Sequence, residues 1–313
     1  MRSFWRSLWA RRHAHRSDVA LYYMKESSRF SLPALHAVLL SIVSVQGGAV
    51  IAKGLFPLLG AAVTTSLRIG LSALVLLLLV RPRLRKLKLA QWQAVVPYGL
   101  ALGLMNFLFY CALVRVPLGL AVTLEFVGPL SLALVGSRRW FDFVWVVLAG
   151  LGIALIAPWT GHGIDPLGLL FALAAGGCWA VYIVLSRRTA AIMPGQQAVA
   201  IGMLFAAVPV LPFGLASGSL QALTPHLLLL GVLLALFSSV LPFSLEMQAL
   251  RTMPTRTFSI LMSLEPVVAA LSGRLLLHEQ LTLGQWLAVG CIVVASAGAT
   301  LTTSDPMQAL AGE

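Results

Sequence analysis

Ten apolar runs divide this sequence, and most of them have about the 20 residues that a helix needs to cross the hydrocarbon of a bilayer. The runs lie at 34–52, 58–80, 94–113, 118–136, 143–157, 168–185, 198–215, 227–245, 258–277 and 284–301. Backbone N–H and C=O groups inside a bilayer must be satisfied by the chain itself, and a helix does this within one segment. The sequence therefore predicts an all-α membrane protein with ten transmembrane helices.

The placement of charge orients these helices. The chain is 59% hydrophobic and 10% charged, a composition that soluble domains do not have. Its net charge of +12 lies mainly between the apolar runs and in a basic N-terminal arm, so it does not indicate a nucleic-acid partner. Apart from Arg68, only Lys53, Arg115 and Arg274 among the 22 Lys and Arg residues fall on the side opposite the arm. The positive-inside rule then predicts that both termini are cytoplasmic.

The two halves of the sequence share the spacing of their prolines. The matched prolines are Pro117 with Pro254 and Pro129 with Pro266, each pair 137 residues apart. We interpret this spacing as an internal duplication, with five-helix repeats at 33–157 and 166–302. An odd number of spans in each repeat makes the second repeat inverted relative to the first, as in many secondary transporters.

A basic arm at 1–32 and a short tail at 303–313 lie outside the predicted repeats. The arm has no continuous apolar core of the signal-peptide type, so a cleaved leader is not predicted. Two interpretations of the arm stay open, an interfacial helix on anionic lipid and a disordered segment that helps to orient the protein. A translation start at Met24 is a further alternative.

Three charged side chains lie well inside apolar runs, away from their ends, where an unpaired charge is costly and is a functional-site hypothesis by default. Arg68 is near the middle of the second run and Glu125 is in the fourth. We predict that Arg68 attracts a substrate carboxylate, and that Glu125 receives the substrate ammonium group or carries a coupling proton. Glu265, which precedes Pro266, is the second candidate for proton coupling. The alternatives are a structural ion pair between Arg68 and Glu125 and a structural kink at Glu265.

Five polar or aromatic side chains in otherwise apolar runs are further candidates for lining a substrate cavity. They are Gln46, Asn106, Tyr110, Trp179 and Tyr182. Tyr and Trp combine a flat apolar body with a hydrogen-bond donor that needs a partner. For each of the five, the alternative is hydrogen bonding between helices or anchoring at the membrane interface.

No metal, cofactor or catalytic site is predicted. Cys111, Cys178 and Cys291 lie within apolar runs, and their spacing fits neither a disulfide framework nor a metal site. The six histidines show no motif such as H-E-x-x-H. The ten acidic residues form no D-x-x-x-D cluster in the apolar runs, which argues against a membrane-embedded lipid or prenyl transferase. A channel is disfavoured because no ring-forming charged pore motif is present.

Specific strings of residues occur in or beside most of the apolar runs. They include Gln46-Gly47-Gly48-Ala49, Met105-Asn106-Phe107, Val116-Pro117-Leu118-Gly119, Leu124-Glu125-Phe126, Ser137-Arg138-Arg139, Cys178-Trp179-Ala180, Ser244-Leu245-Glu246-Met247 and Pro254-Thr255-Arg256-Thr257-Phe258. From about residue 34 to residue 302 the sequence resembles the EamA branch of the drug/metabolite transporter superfamily, and within it the threonine/homoserine exporters. The resemblance implies two inverted five-helix repeats, alternating access and efflux of small amino acids driven by the proton gradient.

These observations predict a transporter rather than an enzyme. We expect a multi-pass protein of the bacterial inner membrane that exports threonine, homoserine and similar amino acids in exchange for protons. Its expected partners are the amino acid, protons and the lipid bilayer, while the oligomeric state stays open. An exporter of aromatic metabolites, purines or drugs is the alternative within transport, and Trp179 and Tyr182 would suit it. A membrane-embedded transferase is the remote alternative.

Overall fold

The computed structural model describes residues 33–135, 142–156, 165–217, 221, 223–253 and 255–302, and the regular structure of these residues is helical. The helices are α1 (Ala34–Val80), α2 (Leu89–Leu113), α3 (Leu118–Glu125), α4 (Val127–Val135), α5 (Asp142–Ile156), α6 (Pro166–Ile192), α7 (Gly195–Ala207), α8 (Leu211–Ala216), α9 (Pro225–Ala235), α10 (Leu241–Thr252), α11 (Thr255–Met262), α12 (Glu265–Leu276) and α13 (Leu283–Thr302). The predicted arm at 1–32, the predicted tail at 303–313 and Pro254 lie outside the described residues.

Seven helical segments of the described chain are long and apolar enough to cross a membrane. They are Ala34–Val80, Leu89–Leu113, Pro166–Ile192, Gly195–Ala216, Pro225–Glu246, Thr257–Leu276 and Leu283–Thr302. Two shorter apolar segments, Leu118–Leu132 and Phe143–Leu155, accompany them. The prediction of an all-α, multi-pass membrane protein is therefore confirmed.

Helix α1 has 47 residues and is bent at Gly60. Gly60 has φ 71° and ψ 168°, a conformation that is essentially restricted to glycine because a Cβ would clash. The bend divides α1 into a first limb at 34–59 and a second limb at 61–80. The apolar pattern predicts a break between residues 52 and 58, but the helix continues through Pro57, because the buried Leu55 and Leu59 pack the turns on either side of it.

The predicted fourth span is broken at Phe126, which separates α3 from α4. Pro129 has no N–H to donate to the carbonyl of Glu125, four residues earlier in the helix. Gly176 on α6 approaches this opened turn so closely that a Cβ on Gly176 would lie 2.5 Å from the carbonyl oxygen of Glu125. The break therefore places Glu125 at the end of α3, with the backbone of α6 directly beside it.

The predicted ninth span is broken in a similar way, between Met262 and Glu265. Pro266 has no N–H for the carbonyl of Met262, and Met262 comes 137 residues after Glu125 in the sequence. Here the acidic residue follows the break, since Glu265 is the first residue of α12. Both broken helices thus carry a carboxylate beside the interruption.

The other helices pack around the two broken ones. Helix α2 lies against α6 and α7, α1 lies against α7, α9 and α10, and α5 lies against α13. The broken helices also touch each other, because a Cβ on Gly119 of α3 would lie 2.6 Å from the Cβ of Ala270 on α12. Small residues permit this close approach, as is common between membrane helices.

Asp165 caps the start of α6, outside the membrane-spanning segments. Its carboxylate accepts hydrogen bonds from Nη1 of Arg115 at 2.7 Å and from the N–H of Leu167 at 2.9 Å. The hydrogen bond from Arg115, followed by that from Leu167, lowers the pKa of Asp165 below its ordinary value of 3.8. The side chains of Arg115 and Asp165 are 39% and 35% exposed, and because water and salt screen such a pair it contributes little to stability.

Candidate functional site

Arg68 lies in the second limb of α1, and two other parts of the chain enclose its guanidinium. Nη2 donates to the carbonyl oxygen of Ser238 at 3.1 Å. Cζ lies 5.2 Å from the centroid of the Tyr110 ring on α2, within cation–π range. Among the described residues, the buried Nε of Arg68 has no hydrogen-bond partner. Leaving a charged donor unpaired is costly, so this N–H favours the binding of an acceptor.

The acceptor for Arg68 belongs to a π-helical turn at Leu236–Val240, between α9 and α10. Such turns are frequent at functional sites. Pro242 has no N–H for the carbonyl of Ser238, which therefore lacks its usual helical donor and accepts from Arg68. In the same turn, the carbonyl of Phe237 accepts from the hydroxyl of Ser44 at 2.7 Å. The apolar pattern did not predict this turn, although Pro242 inside the eighth apolar run was a usable signal.

Glu125 is buried, with 8% of its surface exposed. Both Arg68 and Glu265 act electrostatically on its carboxylate. The direct ion pairs among the described residues include neither Arg68 nor Glu125. The structure thus places the two groups in the same region without the structural ion pair that was the alternative interpretation.

Glu265 is also buried, with 9% of its surface exposed. Its Oε1 accepts a hydrogen bond from Nε2 of Gln46 at 3.1 Å. Within the part of the chain that the structure describes, the buried Oε1 of Gln46 has no partner. Gln46 and Glu265, two predicted site residues from opposite halves of the chain, are therefore in contact. The amide oxygen of Gln46 beside this contact can accept a further hydrogen bond.

A third carboxylate, that of Glu246, lies at the end of the Pro225–Glu246 segment. It accepts a hydrogen bond from the hydroxyl of Ser41 at 2.6 Å, and it acts electrostatically on Glu265. Glu246 was not predicted as a site residue, because its position at the end of an apolar run resembles that of an interfacial residue. The three acidic side chains are therefore linked electrostatically, Glu125 with Glu265 and Glu265 with Glu246.

Tyr110 and Asn106 lie one turn apart on α2. Tyr110 is 1% exposed, and its hydroxyl has no hydrogen-bond partner among the described residues. Nδ2 of Asn106 donates to the carbonyl of Leu102 in its own helix, at 2.7 Å. Tyr110 is thus part of the site through its contact with Arg68, whereas the hydrogen bond of Asn106 is internal to α2.

Trp179 and Tyr182 on α6 have different surroundings. Trp179 packs edge-to-face against Phe126, with ring centroids 4.9 Å apart, at the break of the predicted fourth span. Tyr182 stacks on Tyr98 of α2 with ring centroids 5.1 Å apart, and the two hydroxyls are 3.5 Å apart. Trp179 therefore borders the site, while Tyr182 forms a contact between helices of the kind that the alternative interpretation predicted.

Arg68, Tyr110, Glu125, Glu265 and Gln46 together form what we term the central site. It combines one cation that has an unpaired donor with two buried carboxylates. Such a set complements a zwitterion, because ionised carboxylate and ammonium groups form their strongest hydrogen bonds with partners of opposite charge. Within the described ranges, no group of three or more His, Cys, Asp and Glu side chains is arranged to hold a metal ion.

The sequence is similar to known transporters over most of its length. Residues 166–301 match the EamA-like transporter family. The threonine/homoserine exporter RhtA of Escherichia coli (strain K12) is 48% identical over 269 residues, which are 85% of this chain and 90% of that protein. RhtA of Salmonella typhimurium (strain LT2) is 47% identical over 275 residues, which are 87% of this chain and 92% of that protein.

More distant similarities agree with these. The uncharacterized transporter YwfM of Bacillus subtilis (strain 168) is 25% identical over 186 residues, 57% of this chain and 62% of that protein. One solved protein crystal structure matches with a TM-score of 0.56 and 21% identity, and covers 86% of this chain and 97% of that chain. At this identity the structural likeness concerns the fold alone.

Proposed function

Since the chain belongs to the EamA-like transporter family, we propose that it exports small amino acids, threonine and homoserine first, across the bacterial inner membrane. The observation that carries this proposal is the 48% identity to the threonine/homoserine exporter RhtA over 90% of that protein. The central site supports it, because an amino acid at neutral pH is a zwitterion and the site offers groups of both signs.

In the proposed complex, Arg68 binds the carboxylate of the amino acid. Its guanidinium is planar and presents several donors in a fixed fork, which suits a carboxylate better than a lysine would. Tyr110 and Ser238 already hold this guanidinium in place, and the unpaired Nε supplies a donor for the substrate. The ammonium group binds Glu125, with the unused Oε1 of Gln46 as a further acceptor.

We propose that the protein has ten spans in two inverted five-helix repeats, with both termini in the cytoplasm. The described helices give ten segments when the two limbs of α1 are counted separately and α3–α4, α7–α8, α9–α10 and α11–α12 are each counted as one. The matching breaks, 137 residues apart, support a duplication. The family match over 166–301 supports a second repeat in this part of the chain.

The pattern of helix neighbours supports the same proposal. Helix α2 packs on α6 and α7, and its counterpart, the α9–α10 segment, packs on both limbs of α1. Ser41 in the first limb contacts Glu246 on α10, while Leu67 in the second limb faces Gly231 on α9. Helices α3 and α12 pack on each other, and so do α5 and α13. Exchange of the two halves leaves this set of neighbours unchanged, as an inverted duplication requires.

Proton coupling follows in this proposal from competition between a proton and the substrate ammonium group. A buried carboxylate that has no direct cation partner is costly as a charged group, and a proton removes that cost. Glu125 meets this condition as far as the described residues are concerned. Glu265 is the second candidate, because its hydrogen bond comes from the neutral amide of Gln46. Protonation from outside then releases the substrate, and loss of the proton to the cytoplasm resets the site.

The proposal is tested by efflux of labelled threonine and homoserine from proteoliposomes, with and without an imposed pH gradient. We expect the gradient to drive wild-type efflux and Glu125→Gln to lose that drive. Asp165→Asn is the control, because it removes a carboxylate that lies outside the membrane-spanning segments and is not part of the central site, and it should keep the gradient-driven flux. Threonine and homoserine that stay inside with folded wild-type protein would contradict the substrate proposal. Full pH-driven flux in Glu125→Gln would contradict its role in coupling.

The contact between Trp179 and Phe126 favours a second candidate function, export of aromatic metabolites, purines or drugs. Flat ligands stack on such aromatic pairs. A resistance screen in cells that lack other exporters, with Trp179→Leu beside the wild type, separates the two functions. Resistance that depends on Trp179, together with an absence of threonine efflux, would favour the second candidate.

A further inference from the structure

An ion pair at one end of the bundle joins the two halves of the chain. Lys53, in the first limb of α1, pairs with Glu279, which follows α12. Nζ of Lys53 also donates to the carbonyl of Val116 at 3.0 Å, and Oε2 of Glu279 accepts from the N–H of Leu118 at 2.8 Å. Each charge therefore has one partner in the opposite half and one backbone partner at the start of α3.

The backbone after α12 is shaped to present Glu279. His278 has φ 55°, in the left-handed region that residues with a side chain adopt uncommonly. The N–H of Glu279 donates to the carbonyl of Gly273 at 3.0 Å. A side chain at Gly273 would occupy the place of the Glu279 carboxylate. The position of this carboxylate is thus fixed by local structure and is not a chance meeting of two surface charges.

The ion pair lines an open cavity of about 410 Å³, together with residues such as Phe56, Pro57 and Arg115. This volume is in the range of sites for small molecules. The side chains of Lys53 and Glu279 are 16% and 15% exposed. Both charged groups are therefore partly desolvated and still reachable from the cavity. We term this cavity the vestibule.

Lys53 and Glu279 complement the two charges of an amino acid. Separation of the two halves at this end would leave both partly buried charges without a partner, which is unfavourable. An amino acid in the vestibule can replace each partner, since its carboxylate pairs with Lys53 and its ammonium group pairs with Glu279. The contact between Lys53 and the carbonyl of Val116 lies within the first half and continues to hold Lys53 during this exchange. The contact between Glu279 and the N–H of Leu118 crosses the two halves, so it opens together with the ion pair.

We propose that the vestibule is a second amino acid site, in which the exported zwitterion binds between Lys53 and Glu279 and separates them as it leaves. For the class of ligand this inference rests on the proposed function, and the proposed topology places the vestibule at the outer face. The two charged groups belong to no part of the central site. Variants of Lys53 and Glu279 are therefore expected to have effects that variants of the central site do not have.

The test is protection of a cysteine in the vestibule from a membrane-impermeant maleimide. Val114→Cys supplies the target, because Val114 lines the vestibule and is 54% exposed, and serines replace the three native cysteines. Right-side-out and inverted vesicles are treated with the maleimide, with or without an added ligand. The ligands are threonine, its methyl ester, which lacks the carboxylate, and the matching 2-hydroxy acid, which lacks the ammonium group. We expect threonine to slow labelling several-fold in right-side-out vesicles, and neither single-charge analogue to do so.

Variants of the ion pair identify the groups responsible. Lys53→Met and Glu279→Gln, alone or together, keep the side-chain size and are expected to abolish protection. Arg274→Gln is the control, because it removes an exposed charge on α12 that is not part of the vestibule lining, and it should keep protection. Charge reversal by Lys53→Glu with Glu279→Lys is not expected to restore it, because the Val116 carbonyl and the Leu118 N–H cannot exchange their roles.

The outcomes separate this site from the proposed function. Wild-type export of threonine without protection, in vesicles of either orientation, overturns the second site and leaves the proposed function in place. Protection that persists in Lys53→Met with Glu279→Gln also overturns the second site. An absence of both export and protection overturns the proposed function and the second site together. Gel filtration checks folding. If the double variant does not fold, protection is measured in the single variant Glu279→Gln instead.

Discussion

At the scale of single residues, the central site depends on polar atoms that are incompletely paired. Among the described residues, the buried atoms without a hydrogen-bond partner include Nε of Arg68, Oε1 of Gln46 and the hydroxyl of Tyr110. Buried polar groups are nearly always satisfied in native proteins. Their concentration around two carboxylates on broken helices is the feature that most closely fits a polar ligand.

We predict that Arg68→Gln lowers threonine export at subsaturating concentration by roughly 10- to 150-fold, because a hydrogen bond to a charged group contributes about 1.5–3 kcal/mol. Arg68→Lys should recover only part of this loss, since lysine lacks the planar fork that Tyr110 and Ser238 hold. The measurement is initial efflux from proteoliposomes. Arg274→Gln is the control, because Arg274 is exposed on α12 and should behave like the wild type. Equal export by Arg68→Gln and wild type would remove Arg68 from the site.

At the scale of elements, close backbone contact fixes the broken helix that carries Glu125. Gly176 on α6 leaves no room for a side chain beside the carbonyl of Glu125. A Cβ on the neighbouring Gly177 would meet nothing within 4 Å, so the space on that side is open. The two adjacent glycines of one helix therefore differ only in what they face.

We predict that Gly176→Ala lowers the free energy of unfolding by about 1–3 kcal/mol, the usual cost of forcing extra volume into a packed contact. It should also impair export, because α6 is pushed away from the break beside Glu125. Gly177→Ala should be neutral or slightly stabilising, since alanine is more favourable than glycine in a helix by about 1 kcal/mol. Unfolding in mixed detergent measures both variants. Similar stabilities of the two variants would show that the contact at Gly176 is looser than the structure has it.

At the scale of the whole molecule, the predicted transporter is confirmed by family membership, and the prediction that the chain is not an enzyme is confirmed with it. The ten spans, their inversion and the cytoplasmic termini stay proposals. They make a specific statement about which loops share a side of the membrane. Residues 278–282, between α12 and α13, should lie outside, while residues 81–88, between α1 and α2, should lie inside.

Reporter fusions test this topology. A fluorescent protein that matures only in the cytoplasm should fluoresce at the C-terminus. Alkaline phosphatase, which is active only outside, should be active when fused after Gln280 and inactive when fused after Lys86. Lys86 lies among the basic residues that the positive-inside rule keeps in the cytoplasm. The reverse pattern of activities would contradict the proposed orientation, and activity at both sites would contradict the span count.

The sequence by itself determined the apolar segments, the proline-associated breaks and the identity of the buried charges. These are local properties, because hydrophobic length sets a span and a proline removes the hydrogen bond of a known carbonyl. The strings around Glu125 and Gln46 were also specific enough to identify the family.

Only the tertiary structure decided which side chains meet. It placed Arg68 against Tyr110 and Ser238 instead of in an ion pair with Glu125, paired Gln46 with Glu265, and joined Lys53 to Glu279. The physical reason is that these partners are far apart in sequence, and their meeting depends on the rotation of each helix. In nearly uniformly apolar helices, no amphipathic pattern fixes that rotation, so packing between the halves determines it.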